Sequence, residues 1–153
     1  MVKIVKVKIS DVKNLVSIQK ASFASGLERP WSEKDFKTSL EMKGMKAYLL
    51  VIGGTKVAFI LYRQIVDEAE IILFGVDPAY QRQGYATELL QHAFEAMKKS
   101  GVIKISLEVR DDNYAAMHFY EIAGFQEVGV RRDYYHLTDG QTKDAKLYTQ
   151  SIQ

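Results

Sequence analysis

The sequence predicts one α/β domain over residues 1–153, a mixed β-sheet with helices on both faces. Three observations predict it. Three apolar runs, "KAYLLVI", "KVAFILYRQI" and "AEIILFGV", follow one another mid-chain, and Gly53-Gly54 joins the first two as in a hairpin. Stripes of helical period lie before and after this block, not within it. A length of 153 residues, with 47% hydrophobic and 26% charged content, suits one globular core. The element order reads βαα-βββ-α-β-α-ββ.

Each element has a local cause. Val5, Val7 and Ile9 alternate with Lys6 and Lys8, which predicts a half-buried first strand. Ser10 is placed to cap a helix carrying Val12, Leu15, Ile18 and Phe23. In "ERPWSEKDF", Ser32 and Asp35 have the spacing of a capping box, with Phe36 and Leu40 turned inward. The third β run stops at Asp77-Pro78. After Gly84 a helix carries Ala86, Leu89, Leu90, Ala93, Phe94 and Met97, and Gly101 is placed to end it. "VIKISLEVR" sends Ile103, Ile105, Leu107 and Val109 to one face and Lys104, Ser106, Glu108 and Arg110 to the other. Asn113 caps a short helix that ends near Gly124, and "FQEVGVR" and "DAKLYTQSI" supply the last two strands.

Several function classes are disfavoured. The chain has no cysteine, which removes disulfides, thiolate zinc sites and cysteine nucleophiles. No apolar run is long enough to span a bilayer, and "MVKIVKVKIS" lacks a signal-peptide core, so no membrane partner and a cytoplasmic location are expected. A net charge of +2 without a basic stripe argues against direct nucleic-acid binding. His92, His118 and His136 have no metal-ligand spacing, so no metal is expected, and His92 and His118 read as helix-surface or packing residues. The phosphate-loop, dinucleotide-fold and serine-elbow patterns are absent.

One stretch breaks pattern. In "VDPAYQRQGYATELLQHAF" a strand ends, a polar loop follows, and a helix starts after Gly84. A helix start carries unpaired N–H groups and partial positive charge, so it accepts a phosphate or diphosphate without a basic side chain. Gly84 allows close backbone approach, Ala86 keeps the first turn narrow, and Arg82 adds charge. An ordinary strand–turn–helix connection explains the same residues.

Gln81-x-x-Gly84-x-Ala86 after "VDP" closely resembles the acetyl-CoA pyrophosphate loop of the GCN5-related N-acetyltransferases. "LEVRDDNYAAMHFYEIAGF" is similar to that family's second block. "ERPWSEKDF" and "RRDYYHLTDGQTKDA" resemble its N-terminal-acetylating subgroup, the RimI-like ribosomal-protein-alanine and archaeal Ard1-type enzymes. The likeness spans nearly the whole chain in order. It implies a mostly antiparallel sheet and acetyl-CoA as cosubstrate. It implies cofactor contacts from Phe74, Gly75, Val76, Gln81, Arg82, Gln83, Gly84, Tyr85, Ala86, Thr87 and Asn113. Two departures stand out. Gly84-Tyr85-Ala86 replaces the commoner Gly-x-Gly. Leu73-Phe74-Gly75-Val76 replaces Asn-Ile-Ala-Val, so an Asn side chain is missing, and Gly75 is expected to loosen the strand or mark a bulge.

The same resemblance assigns Glu108 as general base and Tyr120 as general acid, with Glu28, Trp31, Tyr134 and Tyr135 lining the acceptor slot. The chemistry is consistent. An α-amine with pKa ~8 costs about 1.4 kcal/mol to neutralise at pH 7, against roughly 4.6 kcal/mol for a lysine at ~10.4. One carboxylate, aided by burial or ordered water, suffices for the former. A phenol of pKa ~10 can protonate a thiolate of a thiol at ~8.5. Structural readings stand beside these: Glu108 paired with Lys104, Arg110 or a neighbouring strand, Tyr120 as a core aromatic, Asn113 as a plain cap, Tyr134 and Tyr135 as an exposed hairpin edge, Trp31 as a staple. The function expected is acetyl transfer to a protein or peptide N-terminus by a monomer or weak homo-oligomer. Acetylation of a polyamine, amino sugar or amino acid, and a non-catalytic acyl-CoA sensor, are the alternatives.

Overall fold

The computed structural model describes residues 1–22 and 29–152. Its strands are β1 (Val2–Lys6), β2 (Met45–Ile52), β3 (Thr55–Ile65), β4 (Glu68–Val76), β5 (Lys104–Arg110), β6 (Gln126–His136) and β7 (Thr142–Ser151). Its helices are α1 (Val12–Ser22), α2 (Glu33–Glu41), α3 (Tyr85–Lys99) and α4 (Tyr114–Ile122). The element order is the predicted one. The strands form one sheet in the order β1-β2-β3-β4-β5-β7-β6. Among the described residues only β4 and β5 pair in parallel, joined by the α3 crossover that parallel strands require; the other neighbours are antiparallel.

Helices cover both faces. Val12, Leu15 and Ile18 of α1 and Phe36 of α2 pack with Leu49 and Phe59 on one side. Leu89, Leu90, Ala93 and Met97 of α3 pack with Leu50, Ile60 and Ile105 on the other, where Tyr120 of α4 joins them. Leu49 and Leu50 are consecutive yet both 0% exposed, because successive residues of a central strand face opposite layers and both layers are roofed. That is why the middle runs are continuously apolar.

Caps follow their predicted logic in three places. Ser32 accepts from Asp35 N at 3.1 Å while Asp35 accepts from Ser32 N at 2.9 Å. Asn113 accepts from Ala116 N at 3.2 Å. Gly101, at φ +89°, turns the chain out of α3 while Val102 N returns to Met97 O at 2.9 Å. The chain start differs from expectation. The first strand begins earlier and ends at Lys6, with Ile4 opposite Leu50. Val5 and Ile9 are therefore exposed, at 40% and 49%. The turn before α1 is braced by Asp11, which accepts from Lys8 N at 2.8 Å, so Ser10 is not the cap. Ile103 precedes β5 and is exposed rather than inward. Phe23 and Glu28 lie outside the described residues.

One irregularity shapes the molecule. The β4–β5 ladder covers only Glu68–Ile71 against Lys104–Leu107. On its other edge β4 slips register: Leu61 faces Leu73, but Tyr62 faces Ile71, leaving Ile72 as an extra residue. Such a bulge bends a strand, and past it β4 no longer pairs with β5. The expected mark at Gly75 is thus displaced to Ile72. Gly75 has another cause: an added Cβ would lie 2.9 Å from Phe59 Cε1 and 3.4 Å from Ile18 Cγ2. Among the described residues, no helix is long and apolar enough to cross a membrane.

Candidate active site

The loop after β4 is built from short local bonds. Asp77 N donates to Val57 O at 2.8 Å, and the Asp77 carboxylate accepts from Ala79 N at 3.0 Å. The amides of Gln81 and Gln83 fold back, donating to Val76 O at 3.2 Å and Ala79 O at 3.3 Å. Arg82 and Gly84 adopt left-handed backbone, at φ +62° and +86°. The first bond of the α3 ladder runs from Glu88 N to Gly84 O at 3.1 Å, so the N–H groups of Tyr85, Ala86 and Thr87 precede it. Nothing lies within 4 Å of where a Gly84 Cβ would stand. The rim has room for an anion to meet the helix end.

Where the parallel ladder stops, a cleft of ≈ 150 Å³ opens between β4 and β5. Phe74 and Gly75 line it from β4, Glu108 from β5, Asn113 and Tyr120 from α4 and its cap, and Tyr135 from β6. A second cavity of ≈ 240 Å³ is lined by Trp31, Glu70, Ile72, Leu73, Glu108, Tyr134 and Tyr135. Glu108 and Tyr135 line both. A carboxylate thus stands where the two spaces meet.

The electrostatics set Tyr120 and Glu108 apart. Tyr120 is 8% exposed, with ring centroids of Phe119, Phe125 and Phe74 at 5.2, 5.5 and 6.4 Å. Burial first, then the nearby Tyr135, hold its phenol far above the usual tyrosine range, which keeps it protonated and makes it a weaker acid than a free phenol. The Glu108 side chain is 16% exposed, with Arg131 Nε 3.4 Å from Oε1. The Tyr134 phenol is raised by burial and then by the Glu108 carboxylate.

This arrangement has known counterparts. The family model "Acetyltransferase (GNAT) family" matches residues 12–125. The chain belongs to the GNAT acetyltransferase family. It is 41% identical over 112 residues to the [ribosomal protein bS18]-alanine N-acetyltransferase of Escherichia coli strain K12, covering 73% of this chain and 75% of that relative. The crystal structure of the ribosomal-protein-S18-alanine N-acetyltransferase from Escherichia coli superposes with TM-score 0.89 at 36% identity, covering 99% and 94% of the two chains. Ard1 from Thermoplasma volcanium shares the fold, with TM-score 0.87 at 21% identity over 99% and 98%. The protein is an N-acetyltransferase.

Glu108, Tyr120, Asn113, Trp31, Phe74, Gly75, Tyr134 and Tyr135 line the two cavities of this acetyltransferase, by routes the sequence did not show, while the 81–87 loop follows the end of β4. Glu108 does not pair with Lys104 or Arg110. Lys104 lies 3.9 Å from Glu68, and Arg110 meets Asp112. "RRDYY" lies inside β6, which runs on past the expected "FQEVGVR". There Arg131 pairs with Ala145 and Tyr135 with Lys143, so three residues oppose Asp144 alone. Asp133 takes φ +52°, its N–H donating to Asp144 Oδ1 at 2.8 Å and its carboxylate accepting from the Thr142 hydroxyl at 2.8 Å. That bulge lets consecutive Tyr134 and Tyr135 line one slot, where strict alternation would part them. His92 packs on Tyr48 with ring centroids 4.8 Å apart. Among the described residues, no group of three or more His, Cys, Asp or Glu could hold a metal ion.

Three residues escaped sequence reasoning. Gln19, 2% exposed, grips the backbone of Trp31. Glu70 lines the slot and is raised by burial and then by Glu108, while Arg131 and Arg63 oppose the rise. Arg131 caps Glu108. The signals were weak: an acid inside the apolar run "AEIILFGV", and an amide on a helix otherwise read for its apolar stripe.

Proposed function

We propose that this one-domain enzyme transfers the acetyl group of acetyl-CoA to the free N-terminal α-amine of a protein, with a ribosomal protein carrying N-terminal alanine as the first acceptor to try. The observation that carries the reading is Glu108 lining both cavities, so that thioester and amine can meet beside one carboxylate. The relatives at 41% and 36% identity support the acceptor class.

In this reading the Gln81–Thr87 loop and the start of α3 hold the diphosphate through backbone N–H groups. Phe74, Gly75 and Val76 flank the pantetheine arm, and Asn113 contacts it at the cap of α4. The acceptor enters past Trp31, Tyr134 and Tyr135. Glu108 takes a proton from the α-ammonium, directly or through water, and the neutral amine attacks the thioester carbonyl. Tyr120 gives its proton to the departing thiolate. The proton that nitrogen sheds on becoming an amide restores Tyr120, and the proton on Glu108 leaves to solvent.

Mass spectrometry of a lysine-containing peptide, with its N-terminus free or blocked, tests the assignment. Modification of the free α-amine is expected, with little on the blocked peptide. Acetyl groups found chiefly on the lysine side chain would transfer the reading to small or side-chain amines.

A further inference from the structure

Glu108 shares the acceptor slot with a second acid, Glu70 of β4. Arg131 answers both. Its Nε lies 3.4 Å from Glu108 Oε1, and its charge draws the Glu70 pKa down against burial and Glu108, which raise it. Its Cζ stands 5.4 Å from the centre of the Tyr134 ring. It reaches across β7 from β6, where Ala145 lies opposite both Arg131 and Arg110. The Arg131 side chain is 57% exposed, while the carboxylate it caps is 16% exposed.

A solvated cation therefore rests on the group that receives the acceptor amine. We propose that the Arg131 guanidinium is the resident occupant of the acceptor's cation site, neutralising Glu108 in the acceptor-free enzyme and yielding its place to a cationic N-terminus. This rests on the reading of Glu108 as the acceptor's base. Two cations cannot share one side of a carboxylate without repulsion, so one must leave. The exchange keeps the slot's charge constant and leaves no carboxylate buried without a partner. A blocked N-terminus has no charge to trade. Guanidinium suits the part because it is weakly hydrated and its side chain, already largely exposed, can swing out to solvent. The groups facing Glu108 are Arg131 and Tyr134 from β6 and Glu70 from β4; those facing Glu70 are Glu108, Arg131 and Arg63 of β3.

The test uses the whole chain saturated with CoA. Trp31 is the single tryptophan and lines the slot, so its fluorescence reports acceptor binding. The probes are an alanine-initiated peptide without lysine and its N-acetylated twin. Arg131→Met should bind the free peptide about three- to fivefold tighter, the range expected for removing one competing, partly exposed ion pair. Binding of the acetylated twin should not change. Arg131→Lys, which keeps a cation, should stay near wild type. Equal or weaker binding of the free peptide by Arg131→Met would overturn the inference while leaving the N-terminal reading intact. A wild-type enzyme that binds both twins alike would remove the N-terminal reading itself, and the inference with it.

Discussion

The side-chain amide of Gln19 forms two hydrogen bonds of 2.8 Å with the backbone of Trp31, donating to its carbonyl and accepting from its N–H. One buried residue of α1 thus holds a wall of the cavity that Glu108, Tyr134 and Tyr135 also line, although the two are 12 positions apart in sequence. Gln19→Ala should leave both backbone groups of Trp31 without their partner, at a cost of about 1–3 kcal/mol. We expect a raised peptide KM, altered Trp31 fluorescence and nearly unchanged CoA affinity. A KM equal to wild type would mean that Trp31 holds its place without this clamp.

Gly84→Val should damage cofactor binding. The position needs φ +86°, which a β-branched residue adopts only with strain of about 1–2 kcal/mol, and its Cβ would enter the space beside the α3 N–H groups. Calorimetric titration with CoA should show an affinity loss of about tenfold or more, or ~1.4 kcal/mol. Arg82→Ala should cost only about threefold, since backbone donors carry the contact. Equal CoA affinity in Gly84→Val would place the diphosphate elsewhere.

Glu108→Gln should lower kcat most at low pH. Without a base the enzyme depends on amine already neutral in solution, which becomes abundant as pH passes ~8. We expect a deficit of about 10²-fold or more at pH 6, narrowing towards pH 9. A constant ratio to wild type over that range would give Glu108 a structural role.

Gly75→Ala tests the packing that replaced the expected bulge. The new Cβ would press Phe59 at 2.9 Å and the Ile18 methyl at 3.4 Å. Overpacking of this kind costs about 1–3 kcal/mol. Because α1 also carries Gln19, thermal unfolding should shift down and peptide KM should rise together.

The Lys56–Asp11 pair, 2.7 Å apart, ties β3 to the start of α1. Burial raises the Asp11 pKa, yet the Lys56 and Lys8 contacts outweigh it and leave the carboxyl below its usual value. A depressed folded pKa adds stability above the unfolded value near ~3.9 and loses it as pH falls through the folded one. Lys56→Met should therefore destabilise by about 1–2 kcal/mol at pH 7, with the difference shrinking towards pH 3. Denaturant midpoints at the two pH values would show it.

What the sequence by itself determined is local. The alternation in "LEVR" gave Glu108 its face, "SEKD" its capping box, Gly53-Gly54 the hairpin and Gly101 the end of α3. Each depends on residues within a few positions of one another, whose interactions are set by backbone geometry alone. The tertiary structure decided where the sheet opens, because the extra residue at Ile72 is defined only by the register of β3 against β4. It decided that Glu108 meets Arg131 rather than Lys104 or Arg110, because the charge that lies across β7 from β5 is fixed by the pairing of β6 with β7. It also turned Tyr134 and Tyr135 to one side through a left-handed Asp133 held by Asp144. Pairings between distant strands carry no periodic signature in the chain, so the acetyltransferase's parts were legible one by one and their meeting was not.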